Sequence, residues 1–216
     1  MVELNHAEHF KSMEQQGHAA TLGMWAFLAS EVLLFAGAFT LYGAYRAHYP
    51  AAWDFGVAHN LAWLGTTNTV ILLVSSYFVA LSTHFFKHGK KRTTLFLIGL
   101  TVLFGVAFLC LKGYEYASHF HHGIFPGGSP TFVLKEHAPK GTGLFFTLYF
   151  LMTGLHAVHV IAGMSVLTWL AFRIRANRVI PEAHHPLELG AMYWHLVDLI
   201  WIFLWPLFYL AGGKGG

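Results

Sequence analysis

The chain has 216 residues, of which 56% are hydrophobic and only 11% are charged, against about 25% charged residues in typical soluble proteins. The formal net charge of +3 is too small to indicate binding to nucleic acid. A single cysteine, Cys110, excludes an internal disulfide and a zinc site built from cysteines. This composition is that of an integral membrane protein rather than a soluble enzyme.

Five apolar segments follow one another along the chain, each longer than the roughly 20 residues that a helix needs to cross the hydrocarbon core. Because a span must satisfy its backbone hydrogen bonds internally, each is predicted to be a helix. We therefore expect an all-α fold, a polytopic membrane helix bundle forming one domain over residues 19–210. A polar N-terminal segment, 1–18, precedes it, and a glycine-rich tail, 211–216, follows. The predicted spans are 19–45, 61–86, 93–116, 143–172 and 189–210.

The basic residues predict how the bundle is oriented. Eight Lys and Arg residues lie on the side that holds the N-terminus, the second-to-third connection and the fourth-to-fifth connection, against five on the other side. Cytoplasmic connections carry an excess of these residues. The N-terminus is therefore expected inside and the C-terminus outside, an orientation that depends mainly on one cluster at 87–92.

Two carboxyl groups lie inside apolar segments, Glu31 in the first span and Asp198 in the fifth. An ionised carboxylate in hydrocarbon costs several kcal/mol, so such a residue usually faces other protein and has a partner. Measured from the inner ends of their spans, Glu31 lies roughly 18 Å deep, His159 roughly 20 Å and Asp198 roughly 14 Å. These depths let the three side chains meet if the first, fourth and fifth helices are neighbours.

The candidate site is therefore a buried polar cluster inside the membrane, with Glu115 as a secondary member. Its simpler interpretation is helix packing through interhelical hydrogen bonds, and the alternative is proton supply by a buried carboxyl group. His156 and His159 share one helix face, so this pair alone cannot supply the two opposed axial ligands of a haem. We expect no catalytic residue, cofactor or metal ligand in this chain. The cluster consists of Glu31, His156, His159, His195 and Asp198.

Four segments resemble, in matching order, subunit III of the haem–copper respiratory oxidases. The most specific part is the G-x-H-x-x-H-V run in the fourth span, followed by W-H-x-x-D-x-x-W in the fifth. The resemblance covers the chain from Gly23 to Leu210, without the connections 46–60 and 118–140. The four segments are GMWAFLASEVLLFAGAF (23–39), LKGYEY (111–116), GLHAVHVIAG (154–163) and YWHLVDLIWIFLWPLFYL (193–210).

This resemblance implies a short, five-span member of the family that carries no haem or copper itself. Such a subunit packs against subunit I, in a complex with subunit II and other oxidase subunits, which hold the haem and copper. It implies a non-catalytic role in a proton-pumping oxidase of a bacterial inner membrane. That role consists of bracing subunit I, binding phospholipid and supporting proton uptake. Glu31 matches the glutamate that the family keeps inside the membrane.

Four alternatives stay open beside this expectation. The SEV motif at Glu31 and the YWHLVD run resemble cytochrome c oxidase members most closely, but quinol oxidases and a nitric oxide reductase accessory protein share the family. A stand-alone proton or ion transporter using Glu31 belongs to another class, and the lack of internal repeats and broken helices disfavours it. A membrane cytochrome would be coloured when the chain is produced alone.

Overall fold

The computed structural model describes residues 13–125 and 138–212. Over these residues the chain is helical, with a single 3-10 turn at Pro181–Ala183 and no strand. Three parts of the chain lie outside the described ranges. They are residues 1–12 of the predicted segment 1–18, residues 126–137 of the longest connection, and the tail from residue 213. The helices are α1 (Met13–His48), α2 (Pro50–His59), α3 (Ala62–Lys87), α4 (Lys91–His121), α5 (Thr142–Arg175) and α6 (His185–Tyr209).

Five of these helices, all except α2, are long and apolar enough to cross a membrane. This confirms the predicted all-α bundle with five spans. The helices extend beyond the predicted apolar segments, since α1 begins at Met13 and α4 continues to His121. Their extra turns are polar, so hydropathy alone does not detect them.

Helix α2 lies in the connection between the first two spans. Pro50 starts it at a position where a missing backbone N–H costs nothing. Trp53 and Val57 are buried, and the helix packs on α1, α5 and α6. At Gly56 a Cβ atom would lie 2.2 Å from the Phe145 ring, so only glycine lets α2 approach α5 this closely. This helix closes one end of the bundle.

Helix α6 is the central element of the fold. Helices α3 to α6 form a four-helix bundle in which α6 packs on α3 and α5, while α4 packs on the same two helices. Helix α1 lies outside this bundle, against α5 and α6, and is the least buried of the five spans. We call the end of the bundle formed by residues 87–92 and 173–185 the basic end.

We expect Gly163→Ala to destabilise the chain by about 1–3 kcal/mol relative to Gly99→Ala, because only the first overpacks the core. A Cβ atom at Gly163 would lie 2.8 Å from the Trp194 ring, whereas one at Gly99 would meet nothing within 4 Å. Trp194 cannot move aside easily, since it is fully buried and its indole N–H donates to Ser75. Both variants gain the same helix propensity. The free energy of unfolding in mixed detergent micelles measures the difference, and equal values would contradict this packing.

Candidate functional site

Glu31 of α1 and His159 of α5 form a pair inside the membrane. Oε2 of Glu31 lies 2.7 Å from Nε2 of His159, and the side chains are only 16% and 12% exposed, respectively. Nδ1 of His159 lies 2.8 Å from the carbonyl oxygen of Leu155. Because a carbonyl oxygen only accepts hydrogen bonds, Nδ1 must carry a proton. The tautomer of His159 is therefore fixed by its own helix.

It follows that the contact between Glu31 and His159 contains one proton. With Nδ1 protonated, Nε2 either accepts a hydrogen bond from a neutral carboxyl group or donates one to a carboxylate. Both forms have no net charge, which reduces the free-energy cost of burying the two groups. The pair can hold α1 against α5 and keep one proton in the interior of the membrane.

His156 points in a different direction from His159, although only three residues separate them. Its ring is completely buried and lies between Phe108 of α4 and Trp201 of α6, with ring centroids 5.5 and 5.0 Å away. Neither ring nitrogen has a hydrogen-bond partner among the described residues. The two histidines thus lie in different parts of the bundle interior. Within residues 13–125 and 138–212, no group of three or more His, Cys, Asp or Glu side chains is arranged to hold a metal ion.

Glu115, predicted as a secondary member of the site, belongs to a buried ion pair with Lys112. Nζ of Lys112 donates to Oε2 of Glu115 at 2.8 Å and to the hydroxyl oxygens of Tyr149 and Tyr209 at 3.0 Å each. The Tyr209 hydroxyl donates in turn to Oε2 of Glu115 at 2.8 Å. The three donors of the ammonium group therefore have three acceptors, supplied by α4, α5 and α6.

Aromatic rings surround the Lys112 ammonium group and keep water and lipid away from it. Ring centroids lie 4.8–5.7 Å from Nζ, within the range of cation–π attraction. Glu115 was predicted from the sequence as a member of the site, but the rings around its partner Lys112 come mostly from helices other than α4. The rings belong to Tyr116, Tyr149, Trp201 and Tyr209.

A hydrogen-bonded bridge extends from this ion pair to the end of the bundle opposite the basic end. His119 lies 2.9 Å from the carbonyl oxygen of Glu115 through Nδ1 and 3.0 Å from Oδ1 of Asn60 through Nε2. The Asn60 amide donates to the carbonyl oxygen of Phe208 at 2.9 Å. Asn60, an uncharged residue between α2 and α3, thereby ties α4 to α6. No charge pattern in the sequence signals this role.

Asp198 and His195 lie at the interface between α6 and α3. Asp198 is 3% exposed, and neither carboxyl oxygen makes a regular hydrogen bond to a described residue. Ser76 of α3 interacts with this carboxyl group, and its hydroxyl oxygen lies 2.6 Å from Nδ1 of His195. The five predicted site residues thus fall into three places. Glu31 and His159 join α1 to α5, His156 lies in the bundle core, and His195 and Asp198 meet at Ser76.

Comparison with known proteins gives a consistent result over nearly the whole chain. A family model described as cytochrome c oxidase subunit III matches residues 3–213. The quinol oxidase subunit 3 of Bacillus subtilis is 26% identical, over 98% of this chain and 100% of that protein. The cytochrome c oxidase subunit 3 of Alkalihalophilus pseudofirmus is 29% identical, over 93% of this chain and 90% of that protein.

A longer relative comes from the fish Oncorhynchus mykiss. Its cytochrome c oxidase subunit 3 is 29% identical over 88% of this chain but only 69% of the fish protein. The alignments therefore cover nearly all of the two bacterial proteins named above, whereas about a third of the fish protein has no counterpart in the alignment.

Proposed function

The chain belongs to the cytochrome c oxidase subunit III family, and we propose that it is the non-catalytic subunit III of a proton-pumping cytochrome c oxidase. Its five apolar helices and its bacterial relatives make it a multi-pass protein of a bacterial membrane. Membership of the family also implies association with other oxidase subunits. The proposal concerns the electron donor, the direct partners and the part that this chain plays.

The observation that carries the non-catalytic role is the pairing of charged groups between and within the helices. Glu31 is bonded to His159, and Lys112 is bonded to Glu115 and enclosed by aromatic rings. Side chains held in this way fix the positions of helices and have little freedom to bind a substrate. We expect this scaffold to pack directly against subunit I and to join subunit II and other subunits. The haem and copper of the complex are assigned to those partners.

An apolar groove near the basic end supports the expected binding of phospholipid. It lies between α1, α5 and α6, and its walls include Phe27, Val166 and Trp169. The guanidinium group of Arg173 lies 4.8 Å from the Trp169 ring centroid. An acyl chain in the groove would place its phosphate group near this arginine, which is suited to bind phosphate through charged hydrogen bonds.

A polar surface at the basic end supports the proposed part in proton uptake. Glu188, at the start of α6, is bonded to Lys87 of α3 at 2.5 Å. His184 and His185 lie 3.5 and 3.4 Å from the same carboxylate. Histidine exchanges protons near neutral pH more readily than other side chains, so this group is suited to collect protons from water at the membrane surface.

The electron donor distinguishes this proposal from its main alternative. A quinol oxidase is favoured by the relative from Bacillus subtilis, which is named as such and aligns over its full length. The SEV motif and the YWHLVD run favour cytochrome c. A nitric oxide reductase accessory protein predicts that the complex consumes nitric oxide. A stand-alone transporter predicts that the chain alone moves protons.

Purification of the intact complex in a mild detergent tests this assignment. We expect oxygen consumption with reduced cytochrome c as donor, copper in a co-purifying subunit II, and a colourless preparation when this chain is produced alone. Oxygen consumption with quinol but not with cytochrome c would overturn the assignment in favour of a quinol oxidase. Proton uptake by liposomes that contain only this chain would instead favour a transporter.

A further inference from the structure

An open pocket lies at the basic end, between α1 and α3 and against α6, with a mainly apolar lining that includes five polar side chains. Thr21 and Thr83 contribute to two of its walls, and His185, Glu188 and His195 of α6 contribute to the third. The volume of about 400 Å³ is enough for several water molecules. His195 lies ten residues beyond His185, so the pocket extends about 15 Å along α6.

His195 connects this pocket to the interior of the bundle. Its ring lines the pocket, and Nδ1 lies 2.6 Å from the Ser76 hydroxyl oxygen. No hydrogen bond joins Nε2 to another of the described residues, so this nitrogen is free to bind water in the pocket. A neutral imidazole carries a proton on one nitrogen and accepts one on the other, which lets the ring pass protons from one side to the other.

Ser76 lies between His195 and Asp198. The Ser76 side chain interacts with the Asp198 carboxyl group, which is almost completely buried. Neither carboxyl oxygen makes a regular hydrogen bond among the described residues, so the packing of the bundle does not use this group as a fixed acceptor. A buried carboxyl group of this kind exchanges protons only when a donor can reach it.

The charged groups around this route are engaged with one another. On the side of α1 and α5, Glu31 is bonded to His159. At the mouth of the pocket, Glu188 of α6 is bonded to Lys87 of α3 and lies close to its neighbours His184 and His185. On the side of α4, Lys112 is bonded to Glu115. None of these contacts involves Asp198.

We propose that Asp198 is a proton-exchange site that water in the pocket reaches through His195 and Ser76. A proton from water binds to Nε2 of His195, the proton on Nδ1 moves to the Ser76 hydroxyl oxygen, and the hydroxyl proton moves to the Asp198 carboxylate. One proton enters at Nε2 and one arrives at Asp198, so only N–H and O–H bonds change. The reverse sequence returns the proton to the pocket. This inference deepens the proton-uptake part of the proposed function and rests on it.

The composition of the chain allows a direct test, because Asp54 and Asp198 are its only aspartates. In the full chain labelled with ¹³C at the aspartate carboxyl carbon, NMR should give two signals. Asp54 lies on the exposed side of α2, and Asp54→Asn removes its signal and so assigns the other to Asp198. After a rapid change of pH, we expect the Asp198 signal to shift as the carboxyl group exchanges its proton with water.

Three serine variants and one histidine variant separate the route from general effects on packing. Ser76→Ala and His195→Gln should slow the response of Asp198 by about 100-fold, because a positioned side chain accelerates proton transfer by about 10²–10⁴-fold. Ser76→Thr keeps the hydroxyl group and should retain the original rate. Ser82→Ala is the matched control, since among the described residues this buried hydroxyl on the same helix bonds only to the Val79 carbonyl oxygen.

Two results would overturn the inference. One is an Asp198 signal that stays constant over the whole pH range in which the chain remains folded. The other is the same response rate in the unchanged chain, Ser76→Ala and His195→Gln. The electron-donor assay on the intact complex does not depend on Asp198, so a failure here is distinguishable from a failure of the proposed function.

Discussion

Replacing Lys112 with methionine should lower the free energy of unfolding of the full chain by about 3–5 kcal/mol. Methionine fills a similar volume but carries no charge, so Glu115 loses its counter-ion in a site that water does not reach. The Lys112 and Glu115 side chains are only 4% and 0% exposed. The hydroxyl groups of Tyr149 and Tyr209 lose their lysine donor in the same step.

A double-mutant cycle in mixed detergent micelles measures this pair. Glu115→Gln alone leaves the lysine without a counter-ion and should also be strongly destabilising. Lys112→Met combined with Glu115→Gln removes both charges. The double variant should therefore lose much less stability than the sum of the losses in the two single variants. Lys91 lies half-buried at the start of the same helix, where its ammonium group donates to the Arg175 carbonyl oxygen and to Asn177 near the surface. Lys91→Met should cost at most about 1 kcal/mol.

If Lys112→Met changes the stability no more than Lys91→Met does, the cluster is not an ion pair on which the fold depends. The same conclusion would follow if the double variant were as unstable as the sum of the single variants. Either result would also weaken the interpretation of this chain as a scaffold, because the cluster connects α4, α5 and α6 at one point.

Replacing Glu31 with alanine should shorten the working life of the oxidase about tenfold while leaving its initial haem content unchanged. Helix α1 is the least buried span, and Glu31 is bonded to His159 of α5. Loss of a partly buried hydrogen bond to a charged group costs about 1.5–3 kcal/mol, although interhelical bonds in membranes average nearer 0.6. A value of about 1.4 kcal/mol raises the population with α1 detached tenfold. If the oxidase is inactivated from that population, its rate of inactivation would also rise tenfold.

The progress of oxygen consumption during continuous turnover gives the working life, and the absorption spectrum gives the haem content. Thr40→Ala on the exposed side of α1 is the control, because within the part of the chain that the structure describes its hydroxyl bonds only to the Ala36 carbonyl oxygen. Immediate loss of haem from purified Glu31→Ala would show that this chain lies nearer the cofactors than we propose.

Glu31→Gln separates packing from proton exchange. A glutamine amide can donate to Nε2 of His159 when Nδ1 holds its proton against Leu155, so the cross-helix bond should survive. We expect a nearly normal working life if Glu31 only packs. A normal initial rate and lifetime combined with slower proton uptake would instead show that the shared proton is exchanged during turnover.

Helix α2 and the Asn60 bridge are two features that the sequence did not predict. Ten residues are too few for a span, and α2 is stabilised by burial of Trp53 and Val57 rather than by a strong pattern of its own. Asn60 carries no charge and follows no motif, so its bond to Phe208 depends on where α6 ends. Such roles follow from contacts between distant segments, which single-chain periodicity does not encode.

Glu31 and His159 illustrate an intermediate case. The helical rise of 1.5 Å per residue places them at similar depths, because depth depends only on distance along each span. Depth does not fix which way a side chain points around its helix. His156, three residues from His159, faces Phe108 and Trp201 instead of α1. Asp198 was expected near the same level but interacts with Ser76 of α3.

The sequence by itself determined the class of protein, the number of spans and the family, because hydropathy, span length and short motifs are properties of consecutive residues. Only the tertiary structure decided which polar groups pair inside the membrane. Pairing depends on which helices are neighbours and on how each is rotated about its axis. Packing of large aromatic side chains such as Trp194 against close-fitting positions such as Gly105 and Gly163 sets both.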